Sequence, residues 1–179
     1  MVPHRLDLAT SGIVVLSRNM KSLKELQRQF RHREVKKKYS AILHGKLRGS
    51  GVIDLPIGRD TIFGPPCFAI DKTLSGKEAV TRFDVVEYND YCTKVELYPL
   101  TGRTHQLRLH TAAIGHPILG DFFYSDQHIY QSSERLMLHS EEIEFAHPRT
   151  KEYVHLVSKS AFKLAKFDDY FSKLSVTHN

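Results

Sequence analysis

Apolar and polar positions alternate over short stretches for most of this chain, and only twice does the repeat lengthen to three or four residues. Ile13, Val14, Val15 and Leu16 form an unbroken apolar run, the pattern of a strand covered on both faces. Leu23, Leu26, Gln27 and Phe30 then recur at helical spacing, with Asn19 or Ser22 placed to cap a helix that fades between Arg31 and Glu34. Alternation returns in KKKYSAILHGKL, where Tyr39, Ala41 and Leu43 share a face and Gly45 ends the strand.

The stretch GSGVIDLPIGRDTIFGPPCFAI is dense in Gly and Pro, which predicts short strands and turns in an irregular excursion. GKEAVTRFDVVEYND and CTKVELYPLT read as two strands of a hairpin turning near Asn89-Asp90. HQLRLHTAAIGH predicts the second helix, with Leu107, Leu109, Ala113 and Ile114 toward the core and Gly115 at its C-terminal end. ERLMLHSEEIEFAHPRTKEYVHLVS supplies two last strands around a turn at His147 to Thr150, and residues 161–179 form a tail that starts as a short helix. The sum is an α+β pattern: a mixed, mostly antiparallel sheet with two principal helices, in one domain spanning residues 1–179.

Composition changes this picture little. At 179 residues, 41% hydrophobic and 26% charged, the chain suits a single core. No stretch reaches the ~20 apolar residues of a membrane-crossing helix, and the start lacks the features of a signal peptide, so a cytoplasmic site is expected. Cys67 and Cys92 have no metal-binding or disulfide-framework spacing. Charge changes it more. A net charge of +6 favours a polyanionic partner, and the segment Lys21 to Tyr39 is crowded with Lys and Arg against only Glu25 and Glu34. Such a run reads either as a solvated helix face followed by a basic loop or as a phosphate-tracking surface.

Two clusters hold the candidate chemistry. PHRLDLATSG places Asp7 close to the first strand, where a carboxylate serves as a turn or cap residue unless it has a charged partner and a reaction to perform. YPLTGRTHQLRLHTAAIGHPILGDFFY holds Arg103, His105, Gln106, Arg108, His110, His116 and Asp121 among apolar positions. Arg103, after a Gly at a strand end, is the expected bidentate partner of Asp7, which would keep the acid ionised as a nucleophile or base. The spacing of His105, His110 and His116 does not put three ligands on one helix face, so no metal is expected. Neither GxGxxG, GxxxxGK[ST] nor GxSxG is present.

HRLDLATSGIVVLSR, KKKYSAILHGKL and PLTGRTHQLRLHTAAIGHPILGDFFY, in that order between Pro3 and about Leu156, resemble the RluA-type pseudouridine synthases. The resemblance implies a central cleft that takes RNA and isomerisation of uridine to pseudouridine without a cofactor. It makes Asp7 the catalytic aspartate, Tyr39 the tyrosine that stacks on the target base, and Arg103 the arginine paired with Asp7. Arg5 would fill the space left by the extruded nucleotide. Lys36, Lys37 and Lys38, just before Tyr39, would grip flanking phosphates, and His105, Gln106 and Arg108 complete the expected RNA contacts. The expected partners are loops of large-subunit rRNA or tRNA stem-loops, bound by a monomer. Family members carry a strand and a Lys-Pro segment before HRLD, whereas Met1-Val2-Pro3 leads straight into it here, so an N-terminally truncated catalytic domain with an exposed sheet edge is expected. The alternative is an RNA-binding module or fragment that keeps the cleft without turnover.

Overall fold

Asn19 ends the opening loop and starts the first helix in one step. Its side-chain oxygen accepts the N–H of Ser22 at 2.9 Å, satisfying a first-turn donor of α1 (Met20–Arg31). In the computed structural model, which describes residues 1–59, 68–71, 73 and 75–164, α1 lays Leu26 and Phe30 against Ile143, Phe145 and Val35. The buried polar residue on this face is Gln29 rather than Gln27. Its amide exchanges two bonds with the backbone of Ala146, at 2.9 and 3.0 Å, and so fixes the helix in register on the sheet.

The sheet is built around β2 (Lys36–His44), whose Ala41, Ile42 and Leu43 are fully buried because both faces are covered. One edge of β2 pairs with β7 (Cys92–Pro99), which continues through β6 (Val80–Tyr88) to β3 (Ser50–Asp54). The other edge pairs with β8 (Leu138–Ala146), which also holds β9 (Tyr153–Val157) and the two-residue β1 (Ser11–Gly12). Among the described residues only β1 runs parallel to its partner, so the sheet is mixed and mostly antiparallel, as the alternation implied. β4 (Ile57–Arg59) and β5 (Phe68–Ile70) form a separate ribbon within the Gly/Pro-rich excursion.

Ala41, Leu43, Val95 and Leu97 point to the face covered by α2 (Gln106–Ala113), where Leu107 joins them. Ile42 points the other way and meets Cys92, Leu119 and Ile129, the last from a short unforeseen helix, α3 (Gln127–Gln131). Phe162 and Leu164 pack on that same opposite face, so residues 161–164 form no helix; the rest of the expected tail, and Cys67, lie outside the described residues.

The apolar run after Gly12 departs from expectation. Only Ser11 and Gly12 are strand, while Val14 and Leu16 are 44% and 65% exposed, so residues 13–17 alternate along the sheet margin instead of being covered on both sides. Gly12 makes the docking possible: it has φ +110°, and a Cβ there would lie 2.2 Å from the carbonyl oxygen of Ser140.

Candidate active site

Three anchors fix the loop that leads into β1. The N–H of Thr10 donates to the carbonyl of Asp7 at 2.9 Å, closing a turn. Ser11 Oγ lies 2.7 Å from His139 Nδ1 and accepts from Arg135 Nη2 at 2.6 Å. His4 Nε2 accepts the N–H of Val15 at 3.0 Å, and its ring stacks on Phe30 at 4.6 Å. Burial first, and the charge of Lys37 second, push the His4 imidazole down to about 4, so it stays neutral and keeps this acceptor.

Asp7 is thereby held beside the start of α2. Its carboxylate oxygens lie 4.0 Å from His105 Nε2 and 4.0 Å from Arg108 Nη1. The Arg108 guanidinium is clamped from behind, with Nε and Nη2 donating to the fully buried Asp121 at 2.8 and 2.7 Å, which leaves Nη1 facing Asp7. Burial works against that charge, but Asp121 and then Asp7 outweigh it and hold Arg108 above its ordinary range. His105, in left-handed backbone at φ 55°, bonds Tyr124 through Nδ1 at 2.7 Å. Burial lowers its imidazole, against the pull of Asp7.

Asp7, Thr10, Lys37, Tyr39, Arg103 and Leu138 line a cleft of about 510 Å³, the scale of a single bound nucleotide. Arg5 and Arg31 stand at its margin. The Tyr39 phenol bonds Ser140; burial, with Asp7 nearby, raises it, so it stays protonated. Burial likewise pushes the Lys37 ammonium down to about 8. Thr10 Oγ1 is the single buried side-chain polar atom, among the described residues, with no hydrogen-bond partner, and it belongs to this cleft.

The structure corrects the expected pairing of Asp7. Arg103 reaches the cleft, but its Nε donates to the carbonyl of Glu78 at 2.9 Å, and the guanidinium nearest Asp7 is that of Arg108. The reason is local: His105 is the cap residue of α2 and Arg108 lies three residues on in its first turn, so both reach Asp7, whereas Arg103 precedes the cap. That spacing was readable once the helix had been placed. Arg108 is therefore an internal support rather than a phosphate contact. Gln106 borders the cleft, but its amide is consumed internally: it accepts from Thr101 Oγ1 and the Arg103 N–H, and it donates to Val80 O and Thr81 Oγ1.

Nor do the three lysines act together. Strand alternation turns Lys37 into the cleft and Lys36 and Lys38 to the opposite face. There Lys38 meets Glu142 at 2.5 Å and Glu96 at 3.0 Å, and Lys36 meets Glu144 at 3.4 Å. Arg5, Asp7, Lys37, Tyr39 and Arg103 thus converge, with His105 and Arg108 behind Asp7.

Residues 1–113 match the family described as RNA pseudouridylate synthase. The chain is 48% identical over 161 residues to the dual-specificity RNA pseudouridine synthase RluA of Haemophilus influenzae, an alignment that covers 89% of this chain and 73% of that one. It is 45% identical over 147 residues to the Escherichia coli protein of the same name, with 81% and 66% covered. Among solved structures, human RNA Pseudouridylate Synthase Domain Containing 1 superposes with a TM-score of 0.81 at 30% identity, covering 98% of this chain and 80% of that one. A matched segment longer than half the chain, with relatives aligned over most of its length, places this protein in the RNA pseudouridylate synthase family.

Proposed function

We propose that this chain isomerises uridine to pseudouridine in structured RNA, using protein groups alone, with Asp7 as the reacting acid. The observation that carries this reading is the convergence of Asp7 and Tyr39 on one cleft bordered by Arg5, Arg31, Lys37 and Arg103. A uridine in an RNA loop must leave its stack before an enzyme can reach its glycosidic bond. The Tyr39 ring gives the extruded base a face to lie on, and Arg5 occupies the gap left behind. Lys37 and Arg103 neutralise flanking phosphates, while the unpartnered Thr10 hydroxyl is free to bond the bound nucleotide.

The bond between C1′ and N1 breaks, the uracil turns in place, C5 bonds to C1′, and the proton on C5 departs. Asp7 starts the sequence either by attacking C1′ or by removing the 2′ proton. Arg108 and His105 hold its carboxylate in position, and the clamp on Asp121 keeps Arg108 from swinging away. Tyr39, protonated in the free protein, receives the C5 proton on its oxygen as it passes its own to water. The substrates are stem-loops of rRNA, tRNA or both, bound by a cytoplasmic monomer.

Replacing Asp7 with Asn removes the charge and keeps the shape. Mass spectrometry of a transcript pool treated with the variant should find no pseudouridine above background, while a filter-binding assay finds RNA affinity retained. Full product formation by Asp7→Asn would defeat the assignment and leave a binding module whose acid has no chemical role.

A further inference from the structure

In the loop after Asp121 and on α3 lies a group of aromatic rings that do not line the cleft. Phe122 is 66% exposed, Phe123 47% and Tyr130 40%, and they touch one another: Phe122 meets Phe123 and Tyr130 edge to face, both at 5.2 Å. Three large apolar rings held together in water are costly to keep there and mark a surface that meets something else. The loop that carries them is set rather than loose. Asp121 Oδ1 accepts the N–H groups of Phe123 and Tyr124 at 2.9 and 3.1 Å, Ser125 Oγ donates back to the Asp121 carbonyl, and Asp126 caps α3 below Tyr130.

This group is continuous with the site. The His105 ring that faces Asp7 lies nearly parallel to Phe123 at 6.1 Å, and the Arg108 guanidinium that faces Asp7 sits 5.3 Å from the Phe123 centroid. The same two residues therefore position the acid and back one aromatic ring. Asp7 stands between two unlike surfaces, a basic cleft suited to phosphates and an aromatic rim suited to bases.

We propose that Phe122, Phe123 and Tyr130 form a stacking platform for unpaired nucleobases of the RNA loop next to the uridine held at Asp7. The proposal rests on the reading of Asp7 as the place where an extruded uridine sits. Extrusion takes a stacking partner from each neighbouring base, and an exposed ring offers a replacement that tolerates any base, since every base presents a π face. The rim would then favour loops over duplex and add affinity without fixing sequence.

The test is a double-mutant cycle on binding, with the full chain and a hairpin RNA with a pyrimidine loop, either intact or carrying one abasic site at successive loop positions. Phe122→Ala should weaken binding of the intact hairpin by roughly 5- to 100-fold, and Phe122→Tyr should restore it. At one loop position the abasic RNA should lose a similar factor with the parent protein and little more with Phe122→Ala, because base and ring are removed as a pair. In turnover the loss should fall on KM and leave kcat unchanged. Unaltered affinity in Phe122→Ala, or losses that multiply at every loop position, would overturn the platform. So would a dimer in sedimentation that the substitution returns to monomer, since the rim would then be a protein interface. Binding needs no turnover, so a chain that shows the coupling yet makes no pseudouridine would defeat the catalytic reading and leave the platform standing.

Discussion

Of the three consecutive lysines that open β2, two stand on one face of the sheet among four carboxylates and the third stands on the other face with none. Lys38 lies within 4.0 Å of Glu96, Glu141 and Glu142, and Lys36 lies 3.4 Å from Glu144. Among the described residues no carboxylate comes within 4.0 Å of Lys37, nor of its cleft neighbours Arg5, Arg31 and Arg103. The outer face thus neutralises itself side chain by side chain, while the cleft, where Arg33 alone of its lining cations pairs with a glutamate, Glu78, keeps most of its positive charge. A concave, uncompensated surface focuses potential on a polyanion far more than the net +6 of the whole chain does. On the proposed function, the cations that lack partners are the ones expected to meet RNA.

The deepest part of this contrast is the Asp7–Arg108–Asp121 chain, among the described residues the one place on the cleft side where charges are paired and buried. Arg108→Met should have the largest effect of all. It leaves Asp121 fully buried without its guanidinium, at a cost of about 3–5 kcal/mol, visible as an earlier midpoint in urea unfolding. It also removes the cation nearest Asp7, so product formation should fall to background. The double variant Arg108→Met with Asp121→Asn, which removes the buried charge and keeps the oxygen that accepts the Phe123 and Tyr124 N–H groups, separates the two consequences: much of the stability should return and none of the activity. If activity returned with stability, Arg108 would act only by holding the fold.

Lys37→Met tests the uncompensated side directly. Losing one phosphate contact should reduce the slope of log affinity against log salt by about one, with affinity down by roughly tenfold at moderate salt. The pH dependence has a definite sign. Burial pushes the ammonium down to about 8, so in the parent protein it loses charge as pH rises through that value, and RNA affinity should fall between about pH 7 and 9. Lys37→Met should lack this fall. Stability runs the other way, because a depressed lysine pKa means that folding disfavours the charged form. The unfolded chain stays protonated up to its ordinary value of 10.5, so the penalty is fully present at pH 7, and the Met variant should melt at a higher temperature. An affinity profile that declines identically in both proteins would place the titrating group elsewhere.

Much of this arrangement was legible before the fold. Alternation and capping located α1, β2, the β6–β7 hairpin, α2 and the β8–β9 pair, because each is bounded by a local signal such as Asn19 or Gly115. Asp7 and Tyr39 were found through short motifs. What escaped were long-range relations: Arg103 was paired with Asp7 on the strength of a preceding glycine, while helical geometry gave that place to Arg108. The three lysines were read as a unit because residue type is local, whereas their partners Glu96, Glu142 and Glu144 arrive from β7 and β8. The exposure of Val14 and Leu16 was missed for the same reason, since an apolar run does not say how many neighbours its strand will find. The aromatic rim had no signal at all, because Phe122 and Phe123 look like core residues until the turn at Asp121 faces them outward.

The smallest effect is the sharpest check on the comparison. Lys36 is one residue from Lys37, has the same charge, and has a side chain 77% exposed, so by sequence and accessibility it is the better phosphate contact. Its geometry argues otherwise, since it opposes Glu144 on the far face, where the Tyr153 hydroxyl also donates to that carboxylate. Lys36→Ala removes an exposed pair worth less than about 1 kcal/mol, and Glu144, reached by water and still bonded to Tyr153, needs no replacement cation. RNA affinity should change by less than about twofold, with the salt slope unmoved. A slope reduced as far as in Lys37→Met would mean that the RNA wraps the sheet edge and meets both faces. The division between a self-neutralised face and a binding face would then fail at the residue where the two lie nearest.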